Sequence, residues 1–126
     1  MKKTKLIYWV STILFSLMLL SGAIFYFVSF ETTKESFIKL GFPIFIIIPL
    51  AIAKILGISA ILIKQLKSFK EWAYAGFFFN LLIATFSHIS IGDGESLGAI
   101  IALVLLLSSY LLDKKLSPKR LKQAVN

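Results

Sequence analysis

Lys54 is the residue of this chain whose type and position are best suited to chemistry, because it lies near the middle of a long apolar segment. An ammonium group at the centre of a membrane span costs roughly 2.5–3.5 kcal/mol on insertion scales. Ile63 lies nine residues further on, which is about 13 Å along a helix axis. That distance is too great for the side chain to reach water at that end of the segment.

The sequence leaves two interpretations of Lys54 open. No Asp or Glu lies within an apolar segment, and the neutral polar side chains within range are Asn80, Thr12 and Ser16. In the first interpretation the amine forms a polar clasp between helices, and desolvation can remove its proton. In the second, the amine keeps its charge and binds an anion or another polar ligand, or it takes part in proton transfer.

A second set of residues follows a four-residue step along the third apolar segment: Trp72, Gly76, Asn80, Ala84 and His88. Residues four apart lie on one side of a helix, so we expect this ridge to face the bundle interior. Asn80 would then lie at the depth of Lys54 and share the ligand or clasp site with it. His88 lies close to Asp93, and we expect it to be a hydrogen-bonded structural residue. The alternative is a proton-gathering or polar site formed by His88 and Asp93 at one membrane face.

Absent residue types exclude several kinds of chemistry. The chain has no Cys, which excludes thiolate catalysis, disulfide exchange, iron–sulfur clusters and Cys-based zinc sites. Its single His cannot form a His-cluster metal site or hold a haem between two histidines. The Gly-Asp-Gly at 92–94 indicates a tight turn between segments rather than a phosphate-binding loop. We therefore expect the protein to bind no cofactor and no metal. We also expect a protein without catalytic activity of its own rather than an enzyme.

Four apolar segments must position these residues: 6–30, 42–63, 72–91 and 97–112. A helix needs about 20 apolar residues to cross the hydrocarbon core of a bilayer. The pattern predicts an all-α membrane protein, a four-transmembrane-helix bundle that forms one domain over residues 1–126. A polar tail, 113–126, follows the fourth span.

Three residues are predicted to shape the packing of the second and third spans. Pro49 lies inside span two, where it removes a backbone hydrogen bond and predicts a kink. Gly57 and Gly76 predict a close approach between the backbones of antiparallel spans two and three. Residues 31–40 between the first two spans predict a short amphipathic helical turn, and Tyr26 is assigned to an aromatic belt at the end of span one.

The distribution of positive charge predicts the orientation of the spans. Of 14 Lys and Arg residues, 11 lie before span one, between spans two and three, or after span four, and two lie in the loop after span one. The positive-inside rule then places both termini in the cytoplasm. The net charge of +8 is explained by contact with lipid headgroups, so we expect no nucleic-acid partner.

A cleaved signal peptide is the alternative to a retained first span. The chain begins with basic residues and an apolar run, and Ser21, Gly22 and Ala23 are typical of a cleavage site. The apolar run nevertheless continues from Ile24 to Phe30, which is longer than a usual signal core. We therefore expect the first span to be retained.

Several short motifs resemble one known family: 40–43 (LGFP), 53–57 (AKILG), 70–77 (KEWAYAGF), Ser87-His88 and Gly92-Asp93. Together they are similar to the small DoxX-like family of bacterial membrane proteins, over about residues 5–112. That resemblance implies a four-helix membrane bundle in the inner membrane of a bacterium. It also implies a redox setting, since the family is named after a subunit of an archaeal quinol-oxidising, thiosulfate-linked system. Some relatives contain Cys residues that this chain lacks, which counts against thiol or sulfur chemistry.

Three functions are compatible with these observations. The first is an accessory or interaction component in a redox or respiratory membrane, whose partners would be a redox membrane complex or a quinone. The alternative is a small permease or exporter, for which a buried Lys54 favours an anionic or neutral lipophilic compound. The weakest is an enzyme that uses Lys54 and Asn80 to polarise the carbonyl of a quinone or lipid. The sequence leaves a homo-oligomer open.

Overall fold

The computed structural model describes the backbone of residues 2–125 and the side chains of that range except those of residues 64 and 117–125. Within this range the chain folds into five α-helices, which are α1 (Lys2–Val28), α2 (Phe30–Leu40), α3 (Ile47–Leu62), α4 (Lys70–Ile91) and α5 (Ser96–Val125). Short 3₁₀ helices, Ile44–Ile46 and Lys64–Phe69, precede α3 and α4. The described residues include no β-strand.

Four helical segments are long and apolar enough to cross a membrane: Lys2–Val28, Ile44–Leu62, Gln65–Ile91 and Ser96–Leu116. This confirms the predicted all-α class with four membrane spans. The last helix continues beyond the predicted end of span four at residue 112 and extends to Val125. The predicted polar tail therefore begins inside α5, and its last residue, 126, lies outside the described residues.

The four long helices form a ring in which each packs against two neighbours. Helix α1 packs on α3 and α5, and α4 packs on the same two helices from the other side. All four contribute large apolar side chains to one core: Phe15, Leu19, Ile58, Ile61, Tyr74, Phe77, Leu81, Ala102 and Leu106. The up-and-down order of the helices, with short connections, is the usual topology of a four-helix bundle.

The amphipathic helix α2 closes one end of the bundle, which we call the α2 end. It packs against α1 and α4 and buries Thr33 and Phe37. Gly41 ends it in the left-handed conformation with φ 84°, which glycine adopts without a steric penalty. The expected helical turn at 31–40 is thus a helix of 11 residues.

The structure corrects the predicted kink at Pro49. Helix α3 begins at Ile47, so Pro49 occupies its first turn. Backbone N–H groups of a first turn have no partner within their own helix, so proline is tolerated there without distortion. Residues 42–46, assigned by hydropathy to the start of span two, instead form an extended segment and a 3₁₀ turn.

The structure also corrects the predicted face of the third span. Trp72, at one end of the small and polar ridge, is 81 % exposed, and Gly76 is exposed as well. Helix α4 instead buries Tyr74, Phe77, Leu81 and Thr85. The larger side chains bury more area in the core, and the small ones are left on a neighbouring face that lines a groove.

Candidate ligand-binding site

Lys54 extends from α3 towards α1 and is only 8 % exposed. Its amine donates a hydrogen bond to the Tyr26 hydroxyl at 3.1 Å, and it also lies 4.3 Å from the centre of the Tyr26 ring. Gly22, one helical turn earlier on α1, leaves room for the amine, since a Cβ atom there would lie 3.7 Å from Nζ. The side chain therefore extends towards the α2 end of the bundle.

The partner of Lys54 is one that the sequence analysis missed. Of the expected neutral partners, Thr12 bonds to the Tyr8 carbonyl and to Ser109. The Ser16 hydroxyl is buried without a hydrogen-bond partner among the described residues. Tyr26 had been assigned to the interfacial belt. The signal that could have identified it is the pair of prolines at 43 and 49, which delays the start of α3 and brings Lys54 nearer to that end.

A groove between α3 and α4 adjoins Lys54, with a cavity volume of about 660 Å³ and one open side. Lys54 and Asn80 are the polar residues of its otherwise apolar lining. The structure therefore places both predicted site residues on one groove, although their side chains are not joined by a hydrogen bond. Asn80 is half-buried, and no hydrogen bond links its side chain to another described residue.

The two glycines expected to bring α3 and α4 together have different surroundings. A Cβ atom at Gly57 would lie 2.6 Å from Cζ of Phe77, so this glycine accommodates an aromatic ring rather than a backbone. A Cβ atom at Gly76 would meet no atom within 4 Å. Gly76 thus lines the open groove instead of packing against α3, because α4 turns its larger side chains towards the core.

Lys54 has no carboxylate partner among the described side chains. The ion pairs found there join Lys34 to Glu31, Lys70 to Asp113, His88 to Asp93 and Lys114 to Glu71. The site thus combines a lysine and an asparagine side chain with a largely apolar groove. Both groups donate hydrogen bonds, so the site can hold a molecule that has an acceptor head and an apolar body.

His88, in the last turn of α4, and Asp93, in the turn between α4 and α5, lie together at the α2 end. His88 Nδ1 lies 2.6 Å from an Asp93 carboxylate oxygen, and the Glu95 backbone N–H donates to the other oxygen at 2.9 Å. These two contacts hold the pKa of the Asp93 carboxyl below its usual value of 3.8, the Glu95 N–H having the larger effect. Among the described side chains, His88, Asp93 and Glu95 form the group whose ligand atoms lie close enough to one another to share a metal ion.

A buried set of hydroxyl groups joins three helices in the other half of the bundle. The Ser109 hydroxyl on α5 lies 2.6 Å from that of Thr12 on α1 and 2.7 Å from that of Tyr74 on α4. Nearby, Lys70 forms an ion pair with the buried Asp113 at 2.8 Å. These contacts hold the helices together, and the sequence analysis did not foresee them.

A family model described as the DoxX-like family matches residues 10–111 of the chain. No curated protein and no solved structure matches the chain. The matched range contains the groove, Lys54 and Asn80.

Proposed function

The chain belongs to the DoxX-like family, and we propose that it is an accessory membrane protein that holds a lipophilic molecule in the groove between α3 and α4. Lys54 and Asn80 would bind the acceptor head of that molecule, and the apolar wall would hold its body. The observation that carries this proposal is a buried lysine that lines an open groove and has no carboxylate partner among the described side chains.

Magnitudes help to separate a ligand site from a structural clasp. The cost of a lysine at mid-span is roughly 2.5–3.5 kcal/mol. The hydrogen bond to Tyr26 contributes about 0.6–2 kcal/mol, and the position of the amine near the ring contributes about 0.5–2 kcal/mol. Tyr26 therefore offsets much of the cost and accounts for a stable resting position of Lys54. It does not account for a groove of about 660 Å³ beside that lysine, and the groove is the reason to prefer a ligand.

A quinone in a redox or respiratory membrane is compatible with this site. Quinone carbonyls accept hydrogen bonds, and the groove volume lies within the roughly 300–1,000 Å³ of small-molecule pockets. The family resemblance supports the redox setting. In this role the protein would present or store the quinone for a redox membrane complex and would need no redox group of its own.

A permease or exporter is the second candidate, and the length of the groove favours it. The lining extends from Leu50 near the α2 end to Phe69 and Trp72 at the opposite end, which is most of the length of α3. A compound could move along such a groove while its apolar body stays in contact with lipid. The positive charge of Lys54 would favour an anionic or neutral cargo.

We further propose that the protein lies in the bacterial inner membrane with both termini in the cytoplasm and with the α2 end outside. The distribution of Lys and Arg between the loops supports the orientation, and the resemblance to a family of bacterial membrane proteins supports the inner membrane. Reporter fusions after Lys67 and after Gln123 should give a cytoplasmic signal, and a fusion near Lys34 should give an external one. A periplasmic signal at Lys67 would refute the orientation.

The proposed function is tested by thermal unfolding of the purified protein with added quinones and with lipophilic anions. A ligand of the groove should raise the unfolding temperature of the wild type, because it binds the folded state. Gly76→Leu should abolish that rise, since the new side chain enters the groove. Gly98→Leu is the matched control, because its Cβ position is equally open and lies on α5, away from the groove. If no compound stabilises the wild type, or if Gly76→Leu responds like Gly98→Leu, the groove is not a binding site.

A further inference from the structure

We propose, building on the function above, that the ligand of the groove is a lipophilic monocarboxylate whose head group supplies the missing counter-charge of Lys54. The proposal concerns the chemical class of the ligand, and it rests on the charge balance around Lys54, on the donors of Lys54 and Asn80, and on the way into the groove.

The charge balance favours an anion over a neutral head group. Lys70 and Lys114, which also lie on spanning helices, pair with Asp113 and Glu71. Lys54 is buried beside a neutral phenol instead. A buried charge is stabilised best by an opposite charge with good hydrogen-bond geometry, which a carboxylate provides and a quinone carbonyl does not.

The available donors match the two oxygens of a carboxylate. An ammonium group has three N–H donors, and Lys54 directs one of them to Tyr26. The other two have no acceptor among the described residues. The Asn80 amide on the facing helix supplies two further donors to the same groove. Tyr26 does not line the groove, so we assign it a positioning role, holding the amine while the groove is empty.

The way into the groove requires a ligand that dissolves in lipid. Tyr26 packs edge to face on Phe37, and Phe37 on Phe42, with ring centres 5.4 and 5.9 Å apart. Lys54 contacts this aromatic cluster through Tyr26 and is itself buried. The groove lies between α3 and α4, and its lining residues Leu56 and Trp72 are exposed on the outer surface of the bundle. From Lys54 to Ala60 it extends about 9 Å along α3, and its lining continues to Leu66 and Phe69, which accommodates an alkyl chain with its head at Lys54. Its volume suits one such chain rather than a two-chain phospholipid.

Trp72 provides a direct readout, because it lines the groove and the chain has only one other Trp, at position 9. In lipid nanodiscs, dibromostearic acid in the groove should quench the tryptophan fluorescence of a Trp9→Phe variant, in which Trp72 is the remaining tryptophan. The quenching should saturate as the concentration of the acid rises. A Trp72→Phe variant, in which Trp9 reports, gives the quenching expected from bulk lipid alone. Dibromostearyl alcohol should bind the groove at least about tenfold more weakly than the acid, since it lacks the charge.

Variants of the groove complete the test. Lys54→Gln should weaken binding of the acid by about 10- to 100-fold, as expected for losing a hydrogen bond between charged groups, and Lys39→Gln on the exposed side of α2 should not. Tyr26→Phe should change affinity less than Lys54→Gln does. If Lys54→Gln fails to fold, Gly76→Leu against Gly98→Leu gives the same test with Lys54 in place.

The outcomes separate this proposal from the function on which it rests. Equal binding of the acid and the alcohol, or full binding by Lys54→Gln, would overturn the carboxylate and leave a groove for neutral molecules. Loss of Trp72 quenching when unbrominated phosphatidylglycerol displaces the acid at equal concentration would show that the anion is a phospholipid, which also overturns the proposal. Equal quenching of Trp72 and Trp9 would overturn both the carboxylate ligand and the proposed function of the groove.

Discussion

Replacing Gly57 by alanine tests the packing of α3 on α4, which forms the closed side of the groove. The new methyl carbon would lie 2.6 Å from Cζ of Phe77, so the ring must move. Phe77 is 5 % exposed and packs edge-on against Phe15 at 6.4 Å between ring centres, which leaves it little room. Overpacking of this kind costs about 1–3 kcal/mol, while the removal of a helical glycine gains about 0.5–1 kcal/mol.

The clash is therefore the larger of the two effects, and Gly57→Ala should be destabilised by about 1–2 kcal/mol. Gly76→Ala is the matched control, because it makes the same change on the facing helix and meets no atom within 4 Å. It should be neutral or stabilised by up to about 1 kcal/mol. The measurement is reversible unfolding in mixed micelles with increasing denaturing detergent.

A double variant makes the test specific to the ring. Shortening Phe77 to leucine in the Gly57→Ala background should remove most of the clash, so the two substitutions together should cost less than the sum of their separate costs. Strict additivity, or equal effects of alanine at Gly57 and Gly76, would refute the close contact between α3 and the Phe77 ring.

Two further predictions concern polar contacts outside the groove. Ser109→Ala should destabilise the protein by about 1 kcal/mol, because hydrogen bonds between membrane helices contribute about 0.6 kcal/mol each on average; Tyr74→Phe should then add less than it does alone, and full additivity would exclude a shared bond. The lowered pKa of Asp93 means that its stabilising contribution is present above its unfolded pKa and is lost as the pH falls through its folded pKa, below the usual 3.8. Asp93→Asn should thus reduce the fall in thermal stability on acidification below about pH 4, and an unchanged acid profile would contradict this.

The membrane spans could be predicted from the sequence, and the faces of the helices could not. Runs of apolar residues mark spans because charges are excluded from lipid, and the structure has helices at all four runs. In a soluble protein the apolar side of a helix faces the core. In a membrane, lipid is as apolar as the core, so composition does not say which side faces inward. Without that information, the sequence analysis assigned the ridge from Trp72 to His88 to the bundle interior. In the structure α4 buries other residues instead.

Partners across the bundle were also beyond the reach of sequence reasoning. The Lys54–Tyr26 contact depends on where α3 begins, and the Lys70–Asp113 ion pair depends on α5 continuing past its apolar run. The sequence analysis ended span four at residue 112, because Asp113 is the first charged residue after the apolar run. In the structure Asp113 is nevertheless buried and paired with Lys70. By contrast, the α2 helix and its end at Gly41 follow local rules and could be predicted.

The hydrogen bonds between helices are distributed unevenly. Ser109 ties α5 to both α1 and α4, and the Lys70–Asp113 ion pair adds a second tie between α4 and α5. Among the described side chains, α3 has one such bond to another helix, from Lys54 to Tyr26. Helices α1, α4 and α5 are therefore joined to one another by more polar contacts than join α3 to them. Substitutions on the groove side of α3 can thus change what the groove accepts without removing the polar contacts that join α1, α4 and α5.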